Sequence, residues 1–328
     1  NCTSSLVSDI VLKSTGRTGG YAGIQLNANT AAGSANRVET ILGDDVTGRL
    51  VQLVGQDHST VHNVMHIGVP KGEAVYFSGC TDCSGTMIRQ YGGGFGPGGP
   101  PGHDGVAIDS GCVGCSLDDV VVRGNSGHSV SVNHDAYGCT VSNVRSFLSD
   151  EGGVALSDQG TVAGQPTNNL VVNCYVENAG QRVNEAAFSS TGGIGNQFVN
   201  CTAKDNQGTS TTTYGFQESP GANSTSNNHF SGLIDPSEML TAEYVLSDAS
   251  SSAINLKDEI ARTKVTFNGT GADGADQTIL RKTYNVTRVN KISIGLYRVY
   301  FQNALPANCN VSATARFFGG KNIVYCTV

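Results

Sequence analysis

The chain has 328 residues, of which 43 are glycine, none is tryptophan and 14% are charged, and its net charge is −7. Glycine and β-branched residues cost helix stability and Asn and Ser favour turns, so the composition argues against a helical bundle, a coiled coil and a doubly wound α/β enzyme. Its 20 Lys and Arg are scattered among 27 Asp and Glu, which argues against nucleic-acid binding, and no run reaches the roughly 18 to 20 apolar residues of a membrane span.

The first ten residues, NCTSSLVSDI, contain neither a basic n-region nor a hydrophobic h-region. They begin in mid-pattern, so a further region is expected before residue 1. From there a four-residue pattern recurs, apolar, any residue, usually Asn, Asp or Gly, then apolar. It starts at Val7, Val38, Val61, Gly85, Leu117, Val141, Val171, Phe198 and Phe230, at intervals of 23 to 32 residues that cluster near 24. Two residues before each start lie Ser5, Asn36, Ser59, Cys83, Cys115, Cys139, Asn169, Asn196 and Asn228.

A second apolar-x-apolar element follows each start: Ile24/Leu26, Val51/Leu53, Val75/Phe77, Val106/Ile108, Val130/Val132, Val154/Leu156, Ala186/Phe188, Tyr214/Phe216 and Tyr244/Leu246. Two short period-2 strands per repeat, with like residues at like positions, predict an all-β fold, a right-handed single-stranded parallel β-helix of about nine coils over 1–250. At about 4.8 Å per coil the rod is about 40 Å long. Asn in the recurring ladder is expected to adopt the left-handed conformation and to bond the neighbouring coil's backbone. Residues 251–263 (SSAINLKDEIART) are helix-compatible and are expected to be a linker. Residues 264–328 alternate again between Gly and Asn turns and predict a small antiparallel β-sandwich.

The run Val265-Thr266-Phe267-Asn268-Gly269-Thr270-Gly271, then Tyr284-Asn285-Val286, Gly295-Leu296-Tyr297-Arg298-Val299-Tyr300-Phe301 and Ala304-Leu305-Pro306 resembles the β-module at the C-terminal ends of phage tail-fibre and tailspike proteins. There the pattern is F-x-G-T-G, Y-N-V, G-x-Y-x-V-x-F, A-M-P; Leu305 stands where that family often has Met. The resemblance implies a homotrimer on the virion tail, attached through a region before residue 1. It also implies assembly in the host cytoplasm and action outside the cell on a host surface polysaccharide.

Candidate catalytic residues lie before and after the second strand of three middle coils, in His103-Asp104-Gly105-Val106, Gly127-His128-Ser129-Val130 and Asp150-Glu151-Gly152-Gly153-Val154. Asp104, His128 and the Asp150/Glu151 pair occupy nearly equivalent places. Asp109, Asn133 and Ser157 form a second stack, with Asp135 and Asp158 beyond. Glycoside hydrolysis needs two carboxylates, one to protonate the leaving oxygen and one to attack or activate water. Asp104, Asp109, Asp135, Asp150, Glu151 and Asp158, with His128, are therefore the catalytic candidates. His103, Asn133, His134, Arg145, Arg182 and Glu185 are the candidates for substrate contact. A lyase would want a basic residue as proton acceptor and a cation for a uronate carboxylate, and only Arg123, Arg145 and Arg182 lie nearby, so hydrolysis is the better reading. A lyase and a binding-only fibre are the alternatives. The competing structural reading is that these acids are turn residues. Asp104-Gly105-Val106 and Gly127-His128-Ser129-Val130 also resemble in part the D-G and G-H-G strands of pectin-hydrolase β-helices.

No cofactor and no metal are expected. Cys80-x-x-Cys83 and Cys112-x-x-Cys115 have the spacing of a zinc site, but they are equivalent segments of adjacent coils and read better as stacked thiols. His58, His62 and His66 are spaced by four but fall on a strand, where His62 and His66 are expected at the surface. The glycine-rich loop 92–102 (GGGFGPGGPPG) leads into His103 and is read either as a wall over Asp104 or as a plain turn. The Asn-x-Ser/Thr triplets, Asn200 within the repeat among them, read as chance occurrences.

Overall fold

The computed structural model describes residues 4–13, 22–28, 33–68, 72–92, 103–158, 164–182, 185–219 and 226–255, together with four strands beyond them. The glycine loop after residue 92, segment 256–263 and the A-L-P end of the C-terminal motif lie outside the described residues. Two sheets of parallel strands form a β-solenoid. One, the long sheet, stacks strands such as Leu6–Lys13, Arg37–Asp44, Thr60–Ile67, Ser84–Tyr91, Ser116–Arg123, Thr140–Phe147 and Gln197–Lys204. The other, the short sheet, stacks nine strands from Ile24–Asn27 to Ala242–Val245. The nine strands of the short sheet, one for each expected coil, are joined by eight coil-to-coil steps, so the described solenoid makes about eight turns. A third ladder of single bridges joins Asp57, Thr81, Val113, Tyr137, Thr167 and Ile194.

The repeat of the sequence is the register of the long sheet. Val7 pairs with Val38, Val38 with Val61, Val61 with Gly85, Gly85 with Leu117 and Leu117 with Val141. These residues from Val38 on, with Ile41, Val64, Ile88, Val120 and Val144, are buried in one continuous core. Two residues three apart cannot both face inward on a regular strand, whose side chains alternate. They do so here because the third residue of the pattern is left-handed: Asp9, Thr40, Asn63, Met87, Asp119, Asn143, Asn173 and Asn200 have φ between 49° and 57°. Phe230-Ser231-Gly232-Leu233 lacks this residue, the register shifts by one, and Leu233 is exposed. The same left-handed step places His66 inside the core instead of at the surface with His62. Burial there lowers the His66 pKa to about 4, although its bond to the Val46 carbonyl opposes the shift.

The ladder two residues before each long strand bonds the neighbouring backbone, but not through left-handed Asn. The left-handed residues sit one position earlier, at Ala35, His58, Asp82, Asn168 and Asn227. Asn36, Asn169, Asn196 and Asn228 point inward and are buried. Each accepts the amide of its counterpart one coil earlier: Ser5 N–H to Asn36 Oδ1 at 2.9 Å, Cys139 N–H to Asn169 Oδ1 at 2.8 Å, Asn169 N–H to Asn196 Oδ1 and Asn196 N–H to Asn228 Oδ1 at 2.9 Å. Ser59 and Cys83 take the same role, accepting from Asn36 N–H and Ser59 N–H at 3.1 and 3.4 Å. Seven free cysteines are buried along this core. The described thiols do not bring three sulfurs within 4.8 Å of one another; Cys83, Cys115 and Cys139 fill the column as small apolar groups, and the other four fill other places in the core. Near its far end the core is aromatic, with Phe198, Phe216 and Phe230 at centroid distances of 4.8 to 6.3 Å.

Contacts divide the chain into residues 1–255 and 256–328. Ser252–Asn255, within the segment expected as linker, is a strand paired in parallel with His229–Ile234. In the second unit Val265–Phe267 pairs antiparallel with Ile279–Lys282, and Val286–Ser293 with Leu296–Phe301.

Candidate active site

The short strands Val51–Val54, Val75–Ser78, Val106–Asp109, Val130–Asn133, Val154–Ser157 and Phe188–Thr191 are in register at their first residues. Two residues before each lie Arg49, Glu73, Asp104, His128, Gly152 and Ala186; one place earlier stand His103, Glu151 and Glu185. The coil pitch therefore stacks titratable side chains in a column along one edge of the short sheet. Arg49 Nε donates to Glu73 Oε2 at 2.9 Å, and His103 Nδ1 lies 3.9 Å from Glu73 Oε1.

The column centres on His128. Its Nδ1 lies 3.3 Å from Asp104 Oδ1 and 3.5 Å from Glu151 Oε2, and its Nε2 lies 3.2 Å from Glu185 Oε2. The His128 amide also donates to Asp104 Oδ1 at 2.9 Å, and the Gly152 amide to Glu185 Oε2 at 3.1 Å. Arg182 pairs with Glu151 Oε1. Two glycines make room for this packing. A Cβ at Gly127 would lie 2.9 Å from Asp104 Oδ1, and one at Gly152 would lie 3.0 Å from the His128 ring and 2.8 Å from the Ala186 carbonyl.

These contacts separate the carboxyl groups by charge state. Burial alone would strip the His128 proton, but the hydrogen bonds it donates to Asp104 and Glu185 outweigh it and raise the imidazole to about 10. For Asp104 and Glu185 burial favours the neutral acid, yet the His128 cation holds both below the usual carboxylate range. Glu151 goes the other way: burial raises it, helped by the charges of Glu185 and Asp104 and opposed by His128 and Arg182. One acid is thus kept toward its protonated form beside two kept as carboxylates, an arrangement that separates acid and base roles. The nearest ligand atoms of Asp104, His128 and Glu151 all lie within 4.8 Å of one another, close enough to hold one metal ion in place of the imidazole proton.

Asp104, His128, Glu151, Glu185 and Arg182 come together here, with His103 further along the same column beside Glu73; the other sequence candidates do not. Asp109 and His134 form a separate group at the opposite end of the short strands. His134 Nδ1 donates to Asp109 Oδ1 at 2.6 Å, and the Tyr76 hydroxyl donates to Asp109 Oδ2 at 2.7 Å. Asn133 is buried beside His134, and Asp135 is exposed in the turn that follows. Asp150 and Asp158 are buried, their amides held by the carbonyls of Asn125 and Thr191. Arg145 is on the long sheet, in register with Val121 and Tyr175, and not near His128's strand edge. Its outward position follows from the left-handed Asn143, which a plain alternation does not reveal. Sequence reasoning missed Arg49, Glu73 and Tyr76. The signal was present: Arg49 and Glu73 precede Val51 and Val75 by the same two residues that separate Asp104 from Val106. Tyr76 lies under the Arg49 guanidinium, 3.4 Å from its ring centroid.

No protein-family model and no curated protein matches the sequence. Solved structures do share the fold. DFA-IIIase from Arthrobacter chlorophenolicus A6 in complex with GF2 superposes with a TM-score of 0.51 at 14% identity, over 77% of this chain and 63% of that one. The same enzyme without its lid gives 0.51 at 13% identity, over 76% and 63%. Pectate lyase Pel9A gives 0.41 at 11% identity, over 76% and 69%. The chain spans 63% of the length of the DFA-IIIase, and what the two share is the parallel β-solenoid.

Proposed function

We propose that the chain cleaves glycosidic bonds of an extended polysaccharide by hydrolysis at the His128 cluster. The observation that carries this is one carboxyl group held toward its acid form, Glu151, within 4.8 Å of one held ionised, Asp104. Glu151 protonates the leaving oxygen. Asp104 attacks the anomeric carbon, then releases the sugar to a water that Glu151 deprotonates. Inverting enzymes keep their carboxyl groups roughly 6.5 to 9.5 Å apart to admit that water before attack, and retaining ones roughly 5 to 5.5 Å; the close approach here favours retention. The positive imidazole between Asp104 and Glu185 holds both carboxylates in place. The fold shared with DFA-IIIase is compatible with a carbohydrate substrate.

The polymer we propose is a host cell-surface polysaccharide, and the setting a homotrimeric phage tailspike acting outside the cell. That setting rests on the sequence motifs in 265–306. Light scattering tests it: a trimer supports the setting and a stable monomer contradicts it. For the reaction, proton NMR of the fresh product end checks the stereochemistry, with the anomeric configuration retained if Asp104 attacks. A second reading is favoured by the metal-compatible spacing of Asp104, His128 and Glu151. In that reading a divalent cation binds a uronate and the cleavage is an elimination. Ultraviolet absorbance from an unsaturated product, lost on chelation, would select it over hydrolysis. Absence of turnover on every surface polysaccharide of a panel would leave a binding-only fibre.

A further inference from the structure

The outward face of the long sheet carries a patch that the stack does not require. Register aligns Tyr91, Arg123, Phe147 and Glu177 in one column of successive coils. It aligns Arg89, Val121, Arg145 and Tyr175 in the column two residues before. The residues between the columns, Gln90, Val122, Ser146 and Val176, are buried in the solenoid, so the side chains of both columns leave the same face of the sheet. On that face Arg123 and Arg145 are exposed, and Tyr91 is 37% exposed. Phe147 and Tyr175 are half-buried, with ring centroids 6.0 Å apart.

The neighbouring acids are already engaged. Asp119 takes the Arg89 guanidinium at 2.6 Å. Glu177 accepts from the Tyr175 hydroxyl at 2.6 Å on one oxygen and from Asn206 Nδ2 at 2.8 Å on the other. Among the described residues neither Arg123 nor Arg145 has an ion pair or a side-chain hydrogen bond. Along the stack Arg123 stands between Tyr91 and Phe147, and Arg145 between Val121 and Tyr175. The two cations are diagonal neighbours on adjacent strands, where like charges repel. On a chain of net charge −7 they are left unneutralised among three aromatic rings.

That pattern selects an occupant. Tyr91 and Phe147 are two coils apart, about 10 Å at roughly 4.8 Å per coil, with Arg123 between them. An extended glycan laid along the rod sets the apolar faces of its sugar rings on the aromatic side chains. Its charge meets the guanidinium groups, whose planar fork matches a carboxylate. A carboxylate borne on the sugar itself keeps charge and ring together, as Arg145 and Phe147 stand two residues apart on one strand. A protein face over the patch would instead have to bury two cations, which is costly unless it brings carboxylates of its own.

We propose that Arg123 and Arg145, with Tyr91, Phe147 and Tyr175, form a binding surface for a carboxylated polysaccharide, rich in uronate or sialate, on the long sheet and outside the His128 cluster. The inference rests on the glycan reading above and narrows it to an acidic polymer. It is a claim about binding and stands even if His128 performs no cleavage.

The test uses the full chain carrying Glu151→Gln, so that binding is read without turnover. Calorimetry is run against uronate- and sialate-rich oligosaccharides, their carboxyl-reduced counterparts, and neutral, sulfated and phosphorylated ones. Binding to the carboxylated set is expected, lost on carboxyl reduction and weakened by added salt; this comparison needs no further variant. Arg123→Gln with Arg145→Gln should weaken it roughly tenfold, and Tyr91→Ala roughly threefold. Arg145→Lys should cost less than Arg145→Gln, because it keeps the charge without the fork. Unchanged affinity in a folded double variant, equal binding after carboxyl reduction, or preference for sulfated or phosphorylated polymers would each overturn the inference. So would a folded double variant with an altered oligomeric state in light scattering, which would make the patch an interface between copies. Binding to neutral glycans alone would overturn it and leave the glycan reading intact, whereas binding to no glycan at all would overturn both.

Discussion

The buried column Asn36–Ser59–Cys83–Cys115–Cys139–Asn169–Asn196–Asn228 and the charged column Arg49–Glu73–Asp104–His128 rise through the same solenoid, set out by the same pitch. In the first, Asn and Ser side chains answer the amide of the coil before, so the polar groups are consumed by the stack. Cys replaces Asn there because the column also needs a small apolar filler. In the second, the side chains bond chiefly to one another across coils. In the next two coils the same register position holds Gly152 and then Ala186. The stack forms without a charge at that position, so the charges serve something other than the stack. A repeated residue marks what the solenoid needs, and a departure from the repeat marks what it carries.

The sharpest way to break this contrast is to exchange the two kinds of damage. Asp104→Asn is expected to lower cleavage of the polysaccharide by a hundredfold or more while the chain still folds cooperatively, its melting temperature lowered only by the share of the His128 ion pair that Asp104 supplies. Loss of folding instead would make Asp104 part of the stack. Asn169→Leu should do the converse. It orphans the Cys139 amide and takes one of two donors from the Ala136 carbonyl, which keeps the Thr167 amide, costing roughly 2 to 4 kcal/mol in denaturant unfolding. Activity per folded molecule should be retained.

The charged column should also show itself in the pH dependence of stability. His128 is raised from 6.5 to about 10. A base whose folded pKa lies above its unfolded value adds stability that is complete below 6.5 and is lost as pH rises through about 10. Thermal melts should therefore fall between pH 7 and 10.5, and His128→Gln should flatten that decline. An identical slope in both proteins would remove the imidazole from the centre of the cluster. The smallest effect belongs to the thiols. Cys139→Ala leaves a sulfur-sized gap in the buried column and is expected to cost about 1 kcal/mol, measured by urea unfolding under reducing conditions.

Much of this was legible in the sequence because the coil register is written in it. Val38, Val61, Leu117 and Val141 are aligned by their own spacing, and the same alignment brings Asp104, His128 and Glu151 to neighbouring coils. The left-handed third residue was not legible. Asn143, Thr40 and Met87 take the same conformation with side chains that share no turn preference, because the stack imposes it. That hidden step sends His66 inward and Arg145 to a different face from the one expected. Asp109 and His134 looked continuous with Asp104 because they are close in sequence, but a strand carries such residues apart at 3.3 Å per step. Asp150 and Asp158, which look like site carboxylates in sequence, are buried in the structure.

The most direct test is the release of reducing ends from a surface polysaccharide by the native chain and by Glu151→Gln, with circular dichroism confirming equal folding. Cleavage by the native chain is expected, with a loss of a hundredfold or more in the variant. Cleavage at the native rate by a folded Glu151→Gln chain would contradict it.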